Sequence, residues 1–467
     1  MKLNYKRTIL VGFAFFLISA FWQAYDAIIP LILTNHFGFK QSLSGFVMSF
    51  DNILAVFMLP IFGGISDKVT TKYGKRTPFI FIGTIVAVIA FIGLTFIDNV
   101  QLAKVIAEGI PSISQGNLSD EKYAEKIREL TMEITKANPL AIVGFIATLL
   151  VILIAMATFR SPAVALMPDV TVKPLRSKGN AIINLMGTAG GISVLGLGII
   201  FGTSKDRFMQ YSWYVVAVCS IMLLGLIIFF LSVKENKWSK EMEEESIKLG
   251  IEEKIENESL TKRKLSKPEF TSLMLILASV ALWYIGYNAI TSKYSVYASN
   301  ILEFDYNLTL IIAQIAAIIS YIPVGLVASK IGRKKTILAG VIMLTLAFIC
   351  GIFLPKFDNV IITYPIFALA GIGWATINVN SFPMVVELAK GGDVGKYTGY
   401  YYTASMSAQI VTPLLSGFLI DNIGWGIFFP YSAIFVALAF VTMFFVKHGD
   451  SKPEPKKSAL ENLDVDD

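Results

Sequence analysis

Long apolar runs separated by short polar loops recur along the whole sequence. One of them is "AIVGFIATLLVILIAMATF", residues 141–159, and about 20 such residues form a helix that spans a hydrocarbon core of about 30 Å. The pattern predicts an all-α polytopic membrane protein with twelve membrane-spanning helices, at residues 8–33, 42–64, 78–98, 139–168, 178–201, 210–233, 270–299, 306–328, 336–354, 360–386, 397–420 and 424–446.

Two longer polar stretches interrupt this pattern. In residues 99–138, apolar side chains at helical spacing (Tyr123, Ile127, Leu130 and Ile134) predict an extracellular amphipathic helix that packs on the outer surface as a lid or rim. Residues 234–268 carry balanced charges and are predicted to be a solvated, partly helical cytoplasmic linker. The predicted domains are an N-terminal six-helix bundle at 1–233, the linker at 234–268, a C-terminal six-helix bundle at 269–446 and a cytoplasmic tail at 447–467.

Composition supports a bilayer environment. Of the 467 residues, 55% are hydrophobic and 16% are charged, and the mean hydropathy is +0.64, whereas soluble domains carry about 25% charged residues. The net charge of +6 comes from alternate short loops. By the positive-inside rule this places both termini in the cytoplasm and gives no reason to expect nucleic-acid binding. The Lys-, Ile- and Asn-rich usage favours a bacterial plasma membrane, where we expect the chain to function as a monomer.

Signals for enzyme chemistry and for cofactors are missing from the sequence. Cys219 and Cys350 lie in apolar runs and are predicted to be core residues, while His36 and His448 fall in a loop and the tail, so no metal site is indicated. The segment "GGDVGKY" does not have the spacing of a phosphate-binding loop. We therefore expect a protein that is not an enzyme and needs no cofactor.

The two halves of the sequence resemble each other. "GLVASKIGRKK" follows the eighth predicted helix, and "GGISDKVTTKYGKR", which has four extra residues, follows the second. Helices 4 and 10 each place a proline, Pro162 or Pro383, a few residues before an acid at the inner end. Two six-helix repeats joined by a charged linker are typical of a transporter that binds its substrate between two rocking halves.

These segments resemble the major facilitator superfamily from about residue 8 to 446. Within it, "SDKVTTKYGKRTPF" is similar to the S-D-R-x-T-S-R-x-G-R-R-R-P-F segment of sucrose/proton symporters and their glycoside-transporting relatives, and "RSPAVALMPDV" is similar to that family's segment at the end of helix 4. The resemblance implies the superfamily's fold and cation-coupled sugar transport. One departure is Leu153, which stands where plant sucrose symporters carry an acid.

Charged residues inside the predicted helices are the candidates for cation coupling, because each costs about 2.5–3.5 kcal/mol to insert. Asp26 and Asp51 fall at similar depth on neighbouring helices; they either bind a proton as a coupled pair or join the two helices with help from amides such as Gln23 and Asn52. Arg160 is either their counter-charge, or a donor to sugar hydroxyls, or a side chain that snorkels or pairs with Asp169. Lys293, near the outer interface, is expected to snorkel.

A sugar site requires aromatic faces and amide groups. Residues of these types at mid-depth in helices 1, 7, 10 and 11 are the substrate-binding candidates: Trp22, Gln23, Tyr25, Trp283, Tyr287, Asn288, Trp374, Asn378 and Gln409. In helix 7, Tyr284, Tyr287 and Asn288 share one face.

The inner loops carry the gating candidates. Glycines there allow close helix approach, and basic residues are positioned to bind acids, as when Lys75 and Arg76 bind Asp169 in an outward-facing state. The candidates are Gly63, Asp67, Gly74, Lys75, Arg76, Asp169, Gly332, Arg333 and Glu387. Contact of the basic loop with anionic lipid is a second possibility.

The function predicted from the sequence is proton-coupled uptake of a sugar, such as a disaccharide or other glycoside, by alternating access. Three alternatives remain open at this point. They are a sodium-coupled symporter, a proton/drug antiporter, and a membrane sugar sensor that does not transport.

Overall fold

The computed structural model describes residues 3–172, 175–248, 265–356, 359–388 and 394–449. Within these ranges the chain forms the helices α1 (Tyr5–Asn35), α2 (Gln41–Met48), α3 (Phe50–Lys68), α4 (Thr77–Ala107), α5 (Asp120–Ala137), α6 (Pro139–Val170), α7 (Arg176–Phe201), α8 (Ser212–Ser232), α9 (Glu235–Lys248), α10 (Lys267–Tyr297), α11 (Tyr306–Ile331), α12 (Arg333–Gly351), α13 (Thr363–Val386), α14 (Val394–Ile423) and α15 (Phe428–Phe444). A short π-helix, Ala298–Leu302, continues α10.

Twelve helical segments of the described chain are long and apolar enough to cross a membrane. The second of them, Gln41–Lys68, consists of α2 and α3, which are separated at Ser49. The seventh, Lys267–Leu302, consists of α10 and the π-helix. The predicted number of spans is therefore confirmed, and the chain is a multi-pass membrane protein.

Two predicted boundaries differ from the structure. The third span was expected to end at residue 98, but α4 continues to Ala107 because its last turns bury Leu102 and Val105. Val105 and Ile127 belong to one apolar cluster that also contacts Tyr123, Leu130 and Ile134. This confirms the amphipathic helix predicted in the 99–138 stretch, which is α5. The linker was expected to be solvated, yet its first helix, α9, buries Glu235 and Trp238; most of the remaining linker lies outside the described residues.

The described residues fall into two compact units. Unit 1 comprises Met1–Glu245 with two later segments, Thr291–Leu308 and Pro413–Trp425, which are named the distal segments below. In this unit α1 packs against α7 and α8, while α4 packs against α6 and α8. Unit 2 lies within Ser246–Ile290, Thr309–Thr412 and Gly426–Asp467, and there α12 packs against α13 and α15. The predicted domains thus remain a prediction, since the distal segments belong to unit 1 despite their place in the second half of the sequence.

Candidate functional site

The two predicted coupling acids lie on neighbouring helices of unit 1. Asp26 is on α1, and Asp51 is in the first turn of α3, just after the break at Ser49. The Asp51 carboxylate lies within electrostatic range of both Asp26 and Arg160. Asn52 donates to Asp51 Oδ1 from its backbone N (2.6 Å) and from its Nδ2 (2.8 Å). The structure therefore brings the two acids together, and the contacts of Asn52 with Asp51 stay within α3 and do not join it to α1.

The Asp26 side chain is reachable by solvent although protein surrounds it. Its helix neighbours Tyr25 and Ala27 are both 1% exposed, whereas Asp26 itself is exposed. The Asp26 side chain is therefore not covered by packed side chains. Small ligands and protons can reach a group of this kind.

Arg160, on α6, lies near this acid pair. Its Cζ atom is 5.8 Å from the centre of the Trp22 ring, and a guanidinium at that distance is attracted to the face of an indole. Of its predicted positions, the structure shows the one beside Asp51. Leu153, at the position of the acid in sucrose symporters, is 2% exposed and belongs to the packed core.

Two aromatic residues next to the acids carry buried polar atoms. Trp22 and Tyr25 meet edge to face with their ring centres 5.4 Å apart, and Gln23 beside them is half-buried. Among the described residues, neither the Trp22 Nε1–H nor the Tyr25 hydroxyl has a hydrogen-bond partner. Buried polar groups are nearly always paired in proteins, so these two atoms lack the hydrogen bonds expected at buried positions.

A second group of aromatic residues lies in unit 2, on α10 and α13. Tyr287 and Trp374 are stacked, with ring centres 3.7 Å apart and planes 6° from parallel. Tyr284 meets the same indole edge-on at 5.2 Å. The three side chains are half-buried. The helical face predicted from Tyr284, Tyr287 and Asn288 is therefore present, with Trp374 added to it.

The other substrate-binding candidates in unit 2 differ in exposure. Asn288 Nδ2 donates to the Tyr284 carbonyl (2.9 Å), Asn378 is 6% exposed and Gln409 is half-buried. Trp283 is 0% exposed, so the structure offers no face of this indole to a sugar ring. The physical reason is its place on the core side of α10, where Ile276, Val280 and Ile290 are also buried. For Trp283 the prediction of a sugar contact was wrong in this arrangement.

At the α3–α4 loop of unit 1, Arg76 contacts two carboxylates. Its Nε donates to Asp169 Oδ2 (2.8 Å), and its other nitrogens contact Asp67 and Ser66. Lys75 Nζ lies 3.2 Å from the same Asp169 oxygen. Burial alone lowers the pKa of Arg76, but the hydrogen bonds and charges of Asp169 and Asp67 raise it overall. The predicted contacts of Lys75 and Arg76 with Asp169 are present, and Gly63 lies beside them, its carbonyl 3.5 Å from Arg76 Nη1.

Sequence reasoning missed Glu235, which lies in the same region. This first residue of α9 is 2% exposed. Its Oε1 accepts from the backbone N of Lys75 (2.7 Å) and Arg76 (2.9 Å), and its Oε2 accepts from Thr77 N (2.8 Å) and Thr77 Oγ1 (2.7 Å). The carboxylate thus caps the N-terminus of α4. Gly74 permits this approach, because its φ is +123° and a Cβ atom there would lie 2.1 Å from Glu235 Oε2.

The corresponding position in unit 2 also has a glycine and an ion pair. Gly332, with a φ of +95°, precedes α12, and Arg333 pairs with Glu387 at the end of α13. The predicted basic–acidic contact is thus present in each unit.

At the other end of unit 1, Lys293 contradicts its prediction. It was expected to extend to the interface, but it is 0% exposed and its Nζ donates to the Gln41 carbonyl (2.6 Å). Asp421 accepts from the backbone N of Gln41 (2.7 Å) and of Ser42 (2.8 Å) at the start of α2. Burial of the ammonium is possible because the start of α2 supplies the Gln41 carbonyl as an oxygen ligand and the distal segments supply the nearby carboxylate of Asp421.

His36, which the sequence placed in a loop, also proves to be buried. Its Nδ1 lies 2.7 Å from Asp98 Oδ1, and both side chains are 0% exposed. Gln101 Nε2 donates to the His36 carbonyl (2.9 Å). Nothing in the hydrophobic pattern signals this pair, because Asp98 lies at the predicted end of a span.

The chain matches known family models and known proteins. The family model described as "Major Facilitator Superfamily" matches residues 130–409 and 303–464, and the model described as "MFS/sugar transport protein" matches residues 10–110. Two curated relatives match over 155 residues each. The sucrose transport protein SUC3 of Arabidopsis thaliana is 29% identical over 33% of this chain. The uncharacterized protein YqgE of Bacillus subtilis is 30% identical over 32% of this chain. The matches span 23% and 34% of the lengths of these relatives.

Solved structures with a similar fold cover nearly the whole chain. The inward open xylose transporter XylE from E. coli has a TM-score of 0.65 at 14% identity, covering 98% of this chain and 99% of that chain. An inward-facing bacterial homologue of the iron transporter ferroportin has a TM-score of 0.64 at 14% identity, covering 95% and 99%. The nucleoside transporter NupG has a TM-score of 0.57 at 15% identity, covering 94% and 99%. At these identities the likeness establishes the fold alone.

Proposed function

Because the chain belongs to the Major Facilitator Superfamily, we propose that it is a secondary active transporter that takes up a sugar together with a proton by alternating access. The substrate class we propose is a disaccharide or other glycoside. The observation that carries the proposal is the group formed by Asp26, Asp51 and Arg160 beside Trp22, inside three of the helices that can span a membrane.

Proton coupling follows from the electrostatics of this group. Two carboxylates that lie close together in a medium of low polarity repel each other, and a proton on either one removes the repulsion. Arg160 offers a positive charge that stabilises whichever carboxylate stays ionised. Asp26 is the acid that solvent reaches, so we assign it the exchange of protons with water, and we assign Asp51 the contact with Arg160.

Sugar binding is supported by the two aromatic groups. The parallel rings of Tyr287 and Trp374 in unit 2 offer the flat apolar surface on which a pyranose or furanose ring packs. The Trp22 Nε1–H and the Tyr25 hydroxyl in unit 1 offer polar atoms to sugar hydroxyls. The names of two similar proteins support a sugar as substrate. One relative is named a sucrose transport protein, and one structural neighbour is described as a D-xylose-proton symporter.

Neutralising each acid tests the proposal. In proteoliposomes, Asp26→Asn or Asp51→Asn should abolish sugar accumulation driven by a pH gradient and spare the exchange of labelled for unlabelled sugar at equal pH. Asp120→Asn is the matched control, because it makes the same change at an exposed position of α5. Unchanged uphill uptake in both site variants would refute the coupling role.

Two other outcomes would redirect the assignment. Uptake that requires sodium at fixed pH would make the two acids ligands of a sodium ion. Sugar binding without flux in vesicles would indicate a membrane sensor. The remaining proposals are a plasma-membrane location, cytoplasmic termini and function as a monomer. Cysteine labelling from each side of intact cells tests the orientation.

The inner-end residues have a proposed role in the same cycle. Contacts of Arg76 with Asp67 and Asp169, and of Arg333 with Glu387, hold each unit's inner helix ends in one arrangement. We assign Gly63, Gly74, Lys75 and Gly332 to the same gating contacts.

A further inference from the structure

One end of α5 is anchored to the first helices of unit 1. Thr135 Oγ1 donates to the Phe37 carbonyl (2.9 Å), and Gln101 Nε2 of α4 donates to Thr135 Oγ1 (2.9 Å). Ile127 is 3% exposed and packs against Val105. These contacts join the C-terminal half of α5 to the α1–α2 loop and to α4.

The opposite end of α5 contacts the distal segments. Glu121, in the first turn of the helix, accepts from the backbone N of Trp425 through Oε1 (2.6 Å). The Trp425 ring lies 5.4 Å from the ring of Tyr297. One carboxylate of α5 therefore binds Trp425, which follows α14 and whose ring contacts Tyr297 at the end of α10.

Arg207 makes a second contact between α5 and the distal segments. This residue of the α7–α8 loop donates through Nη2 to the Asn300 carbonyl in the π-helix (2.5 Å). Its Cζ atom lies 5.1 Å from the centre of the Tyr123 ring on α5. The neighbouring Phe208 packs against the same apolar cluster as Tyr123. Arg207 thus lies between α5 and the π-helix and contacts both.

The distal segments cover the outer helix ends of unit 1 in this structure. Asn300 Nδ2 donates to Asn35 Oδ1 at the end of α1 (2.6 Å), and Tyr306 donates to Thr203 Oγ1 (2.8 Å). Alternating access requires these contacts to break so that the end opens. A helix that is anchored at one end and bound to the distal segments at the other opposes that opening.

We propose that α5, fastened through Glu121 and Arg207, is a strap that stabilises the closed arrangement of this end and so sets how often the end opens. The inference rests on the alternating access of the proposed function, but not on the identity of the sugar or of the coupling ion. It assigns a role to an amphipathic helix that lies outside the twelve spans.

Cysteine accessibility measures the opening directly. Ser295 is 4% exposed and lies in a distal segment, so Ser295→Cys reports opening through its rate of alkylation by a membrane-impermeant maleimide. The background carries Cys350→Ser, because Cys350 is exposed, and keeps Cys219, which is buried. The full chain is used in proteoliposomes without sugar or ion gradients.

We expect faster alkylation when either fastening contact is removed. Glu121→Gln should raise the rate about two- to fivefold, because its hydrogen bond is exposed, and Arg207→Gln should raise it about tenfold, because its contacts are partly buried. Glu133→Gln is the matched control, since it makes the same charge change at an exposed position of the same helix, and its rate should not change. Arg207→Lys, which keeps the charge, should give an intermediate rate and guards against misfolding of the glutamine variant.

The outcomes separate this inference from the proposed function. Unchanged alkylation in Glu121→Gln and in both Arg207 variants would overturn the strap, as would an equal rise in Glu133→Gln. Sugar flux is measured separately on the same vesicles. Absence of flux together with the expected alkylation rates would refute the sugar transporter and leave the strap supported.

Discussion

Replacement of Glu235 by alanine should destabilise unit 1 more than any other single change in the linker. The Glu235 carboxylate is 2% exposed and accepts four hydrogen bonds, from three backbone N–H groups and one hydroxyl at the start of α4. Helix N-termini leave their first N–H groups without partners inside the helix. The side chain of a residue 158 positions further along the chain fills that role here.

The magnitude follows from what the substitution removes. Loss of an N-terminal cap costs about 0.5–2 kcal/mol, and leaving a buried donor without a partner costs about 1–3 kcal/mol. Water can reach part of this site, because Lys75 beside it is 36% exposed, so the donors recover some hydrogen bonding. We therefore expect Glu235→Ala to lower the free energy of unfolding of unit 1 by about 2–4 kcal/mol.

Thermal unfolding followed by tryptophan fluorescence in detergent is the assay. For a unit of this size the expected loss corresponds to a fall in apparent Tm of about 5–10 °C. Glu235→Gln should lose about half as much, because an amide oxygen still accepts from two donors while its NH₂ group faces a third. Glu243→Ala, at an exposed position of α9, is the control and should leave the Tm unchanged. Equal melting of Glu235→Ala and the control would refute the capping argument.

Two further predictions concern helix packing and the aromatic surface. Gly45→Ala places a Cβ atom 1.9 Å from the Pro413 carbonyl oxygen, so the backbone there must move. This variant should raise the alkylation rate of the Ser295→Cys reporter at least tenfold. Gly64→Ala, which has open space around it, is the control and should leave the rate unchanged. Trp374→Ala should weaken sugar binding about three- to tenfold in calorimetric titration, which corresponds to the loss of one aromatic contact. Trp213→Ala is the control, because Trp213 is 71% exposed, and it should leave the affinity unchanged. Equal affinity in both variants would contradict the assignment of a sugar-packing surface to Tyr287 and Trp374.

How much the sequence predicts depends on the range of the interaction. The apolar runs predict all twelve spans, because length and composition alone decide whether a helix can cross a bilayer. The repeated basic loops likewise predict the contacts of Arg76 and Arg333, whose partners lie at matching places in the two halves. Helical spacing also predicts the face formed by Tyr284 and Tyr287, although it does not show which face of α10 is packed, and so Trp283 was misassigned.

Contacts between distant parts of the chain escaped prediction for a physical reason. Lys293 is buried only because the start of α2, 252 positions away, offers it a carbonyl. A lysine near a predicted interface looks like a snorkelling side chain until that neighbour is known. Glu235 is one glutamate in a run of charges, and its local sequence does not distinguish it from Glu243. The partner site of Glu235 does leave one sign in the sequence. The loop before α4 contains a glycine, Gly74, between two polar segments.

The four extra residues in the α3–α4 loop have a physical explanation. In unit 2 the chain passes from α11 through Gly332 directly into α12, and Arg333 binds Glu387. In unit 1 the longer loop folds back on itself, with Thr71 Oγ1 donating to the Gly74 carbonyl (2.6 Å). Asn236 Nδ2 donates to the carbonyl of Thr71 (2.9 Å), next to the bonds that Glu235 accepts.

The insertion therefore builds a binding surface for the beginning of α9. Arg7 adds a contact from α1, because its guanidinium lies 2.5 Å from Glu241 and 5.3 Å from the centre of the Trp238 ring. A linker helix held by α1, by the inner loop and by the start of α4 has to move with unit 1 whenever those helix ends move. The same loop that positions Arg76 against Asp169 also binds α9 through Glu235, so Lys75 and Arg76 each belong to both sets of contacts.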